Sequence, residues 1–413
     1  MPTVTSSNQS DSDKPTLGAN ASVGEPNQCQ DASVEIAPLS SQSNWLASME
    51  ATEKTLIAHE YPFYSDVNVI SEISEGLGPY QLFNAVPMRD DGRVAIAIVL
   101  RAEFYEDNFW PGAAHRRIET DVDRYHGAGS AEELASLCSL GLGIRLRAGD
   151  SNRTFDPRDP RGRFHSHQWR FTPTLVFDRD RPIVPSAIAN PSLDRIRKQL
   201  QSIPTIEPRL FTELVRSARA YQDALWIAES EPHLAWLLLV SALEIAANAH
   251  VAEAGTPESN LRELQPKLAA TLESAGGGKL VAEVGEQLKH LYSATKKFLR
   301  FCELFRPPAP AKRPSLEWMQ VVWNWSNLKK ILNTIYGHRS SALHAGIPFP
   351  APMCRRPDKF GSEEFSERAV TALAESTLGA TWTPDDAPMS LNTFQYFVRA
   401  SLLKWWDHIS MQK

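Results

Sequence analysis

Tyr336-Gly-His-Arg-Ser-Ser-Ala-Leu-His-Ala-Gly346 closes a helical pattern that begins near Val321. Val321, Trp325, Leu328, Leu332 and Ile335 recur three or four residues apart, the rhythm of one buried helix face. The next position in that rhythm is 339, and it holds arginine where the pattern asks for an apolar residue. A charged group on a packing face is costly unless it is paired. His344 follows five residues later, and Gly346 and Pro348 are helix-stop signals. His344 is therefore expected in or beside the last turn, where the negative end of the helix dipole favours a protonated imidazole.

A partner for Arg339 is found upstream. The segment Leu234 to Ala249 is apolar nearly all round, which predicts a central, surrounded helix, and Glu244 is its one charged side chain. A lone acid inside such a helix needs a cation. Arg339 is the first candidate and Arg300 the second. Other helical patterns flank these two. Leu210, Leu214, Tyr221 and Leu225 share a face. A third helix is capped by Ser259 or Asn260 and stopped by Gly276-Gly-Gly278. Val281, Val284, Leu288, Leu291 and Phe298 mark a fourth, and Phe394, Val398, Leu402, Trp405 and Ile409 the last. Short loops between amphipathic helices predict an all-α bundle over residues 204–413, interrupted by four prolines from Pro307 to Pro314.

Residues 43–203 read differently. Val94-Ala-Ile-Ala-Ile-Val-Leu100 is a short β-branched run after the turn signal Asp90-Asp-Gly92, and Thr172-Pro-Thr-Leu-Val-Phe177 is a second expected strand. Between them Ser130 can cap a helix with Glu132 and Glu133 in its first turn, running toward Leu142-Gly-Ile-Arg-Leu146. An α+β domain is expected here, with a sensing or regulatory role. Residues 1–42 are polar and free of aromatics, a composition that cannot offset its ordering entropy, so a disordered tail is expected.

The chain of 413 residues suits two domains, and its hydrophobic fraction of 42% supplies a core. The net charge of −6 excludes a blanket electrostatic grip on nucleic acid, so any such binding must use local basic patches. No run of 18 apolar residues is present and the first forty residues lack a signal pattern, so neither a membrane span nor secretion is expected. Cys29, Cys138, Cys302 and Cys354 form no CxxC pair and fit a reducing cytoplasm. P-loop, GxGxxG, HExxH and GxSxG patterns are all missing, which leaves ATP hydrolysis, dehydrogenase and serine hydrolase chemistry without footing.

Arginine, four intervening residues and histidine at the end of a helix resemble the HEPN superfamily motif. The match is most similar to the Apea-like HEPN group, in which an Arg-Ser pair precedes His-x-Gly and an earlier helix carries an element like Ala242-Leu-Glu244. The resemblance covers roughly the last 200 residues, and the run Leu134 to Leu146 resembles the domain that often precedes this type. It implies metal-independent cleavage of RNA without cofactors, in which the 2′-hydroxyl attacks the adjacent phosphate and leaves a 2′,3′-cyclic end. That reaction needs a base, an acid and a cation at phosphorus. Arg339, His344 and Glu244 are then the catalytic candidates, with His344 as base or acid and Arg339 on the phosphate oxygens. Ser340, His338 and Arg300 are candidate RNA contacts beside them. The family's two-fold homodimer would bring in a second histidine. Five helix positions differ by about 140°, which also points to a site at a helix end or between subunits. The family's habit further implies a bacterial, cytoplasmic effector of antiphage defence or stress response, awaiting a phage or regulatory trigger. Two departures stand out: Ser340 follows the arginine where nuclease toxins of the superfamily often carry an amide or a charge, and Gly346 replaces a tyrosine that some toxins have two places after the histidine. The alternative reading is a HEPN bundle that binds RNA or a protein without cutting, and a helical scaffold is a third.

Other motifs have quieter readings. His165-Ser-His167 lacks a third ligand and reads as a satisfied pair. Trp323 and Trp325 read as core. Arg153, Arg158, Arg161 and Arg163 with Phe155 and Phe164 suit single-stranded RNA, but Asp156 and Asp159 dilute the charge, and a solvated loop is the competing reading.

Overall fold

The alternation of buried and half-buried residues along Ala95–Phe104 suits this segment to an inner strand of an antiparallel sheet, its place in a computed structural model of the chain. The structure describes residues 40–51, 57–85, 94–105, 125–156, 158–164, 172–176, 180–251, 256–361, 364–377 and 379–411. In chain order the first elements are α1 (Ser41–Glu50), β1 (Ile57–Ser65), β2 (Tyr80–Asn84), β3 (Ala95–Phe104), α2 (Ser130–Leu142), β4 (Arg147–Ala148), β5 (Arg153–Asp156), β6 (Asp159–Phe164) and α3 (Arg197–Gln201). The sheet runs β2-β3-β1-β5-β6, with β4 also paired to β1. Tyr80, Leu82 and Leu100 point to one face and meet Trp45, Leu134, Leu200 and Ile203 around a small apolar void. Their neighbours Gln81, Phe83, Val99 and Arg101 are only half-buried, on the opposite face.

The helical half follows as α4 (Pro208–Ile227), α5 (Pro232–His250), α6 (Pro257–Leu264), α7 (Pro266–Gln287), α8 (Lys289–Leu304), α9 (Trp325–Ala345) and α10 (Leu391–Ser410). The stripe of α10 is buried at Phe394, Val398, Leu402, Trp405 and Ile409, and that of α4 at Leu214, Tyr221 and Leu225. The described residues form one compact unit. A single main core runs through it, from Phe63 and Leu100 in the sheet through Leu137 of α2 to Trp236 and Trp405 in the bundle. The position near residue 203, where composition changes, is thus spanned by shared packing, with α2 against α4 and α10.

Several local expectations are corrected. The tail was expected to reach residue 42, but Ser40 caps α1, and Ser41 and Gln42 are buried. Tertiary hydrogen bonds order them: Gln42 Nε2 donates to the carbonyls of Ile203 and Ile206, and Ser41 N to Glu133. Residues 1–39, the turn at 90–92 and the His165–His167 pair lie outside the described residues. Residues 172–176 carry no strand; Trp226 Nε1 instead donates to Thr174 O. Gly129 is the cap of α2 and Ser130 its first residue, because Glu132 reaches back to Gly129 N. Thr256, not Ser259 or Asn260, caps α6. The glycine triplet breaks α7 only at Gly277, whose φ of 69° lies in the left-handed region, and the chain then resumes as helix through Val281 and Val284. Two small hairpins, β7 (Lys359–Phe360) with β8 (Glu364–Phe365) and β9 (Glu375–Thr377) with β10 (Ala380–Trp382), interrupt the expected all-α half. Too few residues separate their paired segments for periodicity to register.

The length and composition of α5 would allow it to cross a membrane, but it packs against α4, α8, α9 and α10 as a core helix. It is not surrounded on all sides, however: Leu234 is exposed and Leu237 and Leu238 are half-buried.

At the far end of α5, His250 stacks edge-on against Phe305 and His408. Burial, and then the nearby His408, hold its imidazole below the ordinary value of 6.5. The unfolded chain therefore takes up a proton first as pH falls. This contribution to stability is complete above about 6.5 and is lost below it. His250→Gln should narrow the fall in Tm between pH 7.5 and pH 5.5. Equal falls in parent and variant would remove His250 as a source of acid sensitivity.

Candidate active site

The pairing anticipated from the misplaced arginine is present. Asn324 caps α9 by accepting from Asn327 N, and the helix runs unbroken to Ala345, where Gly346 adopts φ 65° and ends it. Leu328, Leu332 and Ile335 are buried on its inner face, while Val321 is buried ahead of the helix. One step along that face, Arg339 donates from Nη2 to Glu244 Oε2 at 2.6 Å. Arg339 retains 21% of its side-chain exposure and Glu244 14%, so the pair sits at the rim of the core. The Arg339 Nε is buried and has no hydrogen-bond partner among the described residues.

Tyr336, one turn before Arg339, joins the pair. Its hydroxyl donates to Glu244 Oε1 at 2.8 Å, and the Arg339 guanidinium lies 5.7 Å from its ring centre. Burial, then the charge and hydrogen bond of Glu244, push the phenol well above its usual range, so it stays a donor at any physiological pH. Tyr336 sat in the opening stretch of sequence yet was passed over. The signal was its spacing of three from Arg339, which places two polar tips on one helix face.

Glu244 meets Tyr336 and Arg339, while Trp236, two turns earlier on α5, stacks on Phe349 at 5.4 Å and donates to Met353 O. The last turn of α9 leads into the segment that carries Phe349 and Met353. His344 occupies that turn and is exposed. Among the described residues no hydrogen bond or ion pair joins it to Arg339, Glu244 or Tyr336. Leu343 and Ile347 beside it are 51% and 56% exposed, and Leu234 on α5 is 48% exposed.

The remaining candidates fall elsewhere. Arg300 pairs with Glu303 on its own helix at 2.9 Å and is not the partner of Glu244. His338 Nε2 lies 2.7 Å from Asp386 O and ties α9 to the loop before α10. Ser340 is half-buried. Trp323 donates to Pro307 O and packs against the core, as does Trp325. No family model, no curated protein and no solved structure matches the chain.

Glu244→Gln tests the pair directly. The amide keeps a hydrogen bond but removes the charge facing a largely buried guanidinium. The expected loss is about 1–3 kcal/mol, below the range for a fully buried pair because both side chains retain some exposure. A urea midpoint unchanged from the parent would show that the ion pair contributes nothing to stability.

Proposed function

We propose that the chain is a HEPN-type endoribonuclease that cleaves RNA without a metal, by attack of the 2′-hydroxyl on the adjacent phosphate. The observation that carries this reading is the Tyr336–Glu244–Arg339 network beside a solvent-facing His344 on the last turn of the same helix. Glu244 holds the guanidinium and Tyr336 holds Glu244, so Arg339 is set in place before a phosphate arrives. His344, freely accessible, is suited to take the 2′-hydroxyl proton or to give one to the departing 5′-oxygen. One chain offers one such histidine, and the chemistry needs both a base and an acid. A two-fold dimer supplies the second. The exposed Leu343 and Ile347 next to His344 support that dimer, since apolar side chains grouped at a rim favour a partner surface. The cytoplasmic, defensive setting and its phage or regulatory trigger rest on the resemblance alone.

Incubation of the purified chain with a structured RNA in EDTA tests the proposal. Fragments ending in 2′,3′-cyclic phosphate are expected; intact RNA, or cleavage only after metal is added, would sink it. That no hydrogen bond joins His344 to the ion pair among the described residues favours a second reading, a bundle that binds RNA without cutting. It would appear in the same assay as retained but intact RNA.

A further inference from the structure

The second face of the sheet, half-buried at Gln81, Glu60, Arg101 and Arg153, is not used by the site above. We infer that this face, with the β5–β6 hairpin at its edge, binds single-stranded RNA. The ribonuclease reading supplies the identity of this occupant.

The strand register lines up one row across the sheet. Gln81 pairs with Arg101, Arg101 with Glu60, Glu60 with Arg153, and Arg153 with Phe164. Directly opposed residues in antiparallel strands share a face. Adjacent strands lie about 4.8 Å apart, so the row spans roughly 19 Å, the reach of several nucleotides. It lies opposite the face that carries Tyr80, Leu82 and Leu100 into the core.

Aromatic rings and guanidinium planes are interleaved here. Arg101 lies over the Phe155 ring at 4.1 Å, and Arg153 lies 4.9 Å from both Phe155 and Phe164. Arg153 is held there by a bond to Arg161 O. Gly162 allows the close packing: a side chain at this position, with φ at +67°, would strike the Phe155 ring. Phe164 itself is 65% exposed, an uncovered ring beside a fixed cation. Bases stack on such rings whatever their sequence, while arginines meet phosphates.

The acidic residues of the hairpin do not cancel this. Asp156 Oδ1 accepts from Arg158 N and Asp159 Oδ1 from Arg161 N, so both carboxylates serve the backbone of the turn. Asp159 also lies 3.5 Å from the Arg163 guanidinium. Among the described residues Arg158 and Arg161 have no acidic partner for their guanidinium groups. Glu60 stands between Arg101 and Arg153 in the row, and Glu103, further along the same face, accepts from the Tyr105 hydroxyl. Positive charge is therefore concentrated at the hairpin edge, and that is where a polyanion would enter. A net charge of −6 for the chain makes such a local patch the only way to hold one.

The test uses a 5′-fluorescein-labelled, 20-nucleotide single-stranded RNA and fluorescence anisotropy in EDTA. All proteins carry Arg339→Ala, so that cutting cannot mimic release. Phe164→Ala should raise Kd about tenfold and Phe164→Tyr should leave it near the parent value. Arg158→Glu with Arg161→Glu should raise it by about tenfold or more and flatten its dependence on salt. These side chains are exposed, so unchanged circular-dichroism melts are expected and exclude misfolding as the cause. Unchanged affinity in all the hairpin variants, or no RNA binding by the parent, overturns the inference. The ribonuclease reading fails separately: lost binding in the hairpin variants, with no cleavage by the native chain, would leave this face as an RNA surface without a nuclease. Normal cleavage by the hairpin substitutions made in the native Arg339 chain, with affinity unchanged in the Arg339→Ala background, would do the reverse.

Discussion

His344→Ala should abolish RNA cleavage while leaving the melting temperature at the parent value. The imidazole is exposed on the last turn of α9, makes no hydrogen bond among the described residues and fills no part of the core. Truncating it therefore costs little packing. A single acid or base contributes roughly 10²–10⁴ in rate, so the remaining activity should lie near the limit of detection. Arg339→Ala should lose activity as fully, by removing the cation at phosphorus, but it also leaves Glu244 with only Tyr336 as partner. A stability loss of about 1–3 kcal/mol is expected for that variant alone. The contrast separates the roles: one residue is purely chemical, the other is chemical and structural. Mixing the two inactive chains then tests the dimer. If each site draws arginine from one chain and histidine from the other, mixed dimers regain part of the activity. Full cleavage in His344→Ala would end the nuclease assignment, and full cleavage by a species that sediments only as a monomer would end the shared site.

The largest loss of stability is expected away from this site, at Arg145. Its side chain, on the segment that leaves α2, is fully buried, 3.5 Å from Asp66 just after β1 and 3.6 Å from Glu229 just after α4. Glu229 also accepts from Ile183 N, so the network ties the end of the sheet to the helical half. Arg145→Met keeps most of the volume and removes the buried cation that faces both carboxylates. The expected cost is about 3–5 kcal/mol, the range for breaking a buried ionic network. It should appear as a lower urea midpoint at unchanged slope. Adding Asp66→Asn and Glu229→Gln should recover part of the loss, because the penalty arises from the lost attraction between buried charges and not from lost volume. If Arg145→Met is as stable as the parent, water or rearrangement reaches those carboxylates and the network does not hold the halves together.

Periodicity made much of the helical half legible. A packing face is a repeating demand, so the stripes of α4, α9 and α10 could be read from spacing alone, and an arginine that broke one of them could be noticed. Its partner was legible for the same reason, since Glu244 broke the composition of α5. Helix starts were less so: Ser130, Ser259 and Asn260 all have the chemistry of a cap, and which residue caps depends on where the backbone turns. The hairpins at 359–365 and 375–382 are set by paired segments of two or three residues, too short for a pattern.

By itself the sequence determined the α+β start, the helical second half, the need of Glu244 for a cation with Arg339 or Arg300 as its source, and the placing of His344 at a helix end, because each follows from what a helix or strand must bury and where it must stop. Tertiary structure alone decided the rest. It made one core of two compositional halves, since apolar surface is buried against whatever lies nearest in space, regardless of chain position. Tyr336 was set on Glu244, Arg300 was sent to Glu303, and Arg145 was enclosed with two acids, because an ion pair depends on a few ångströms that spacing along one helix does not specify. In the same way, Arg101 and Arg153 came to flank Phe155 through strand register, which is settled only when the strands pair.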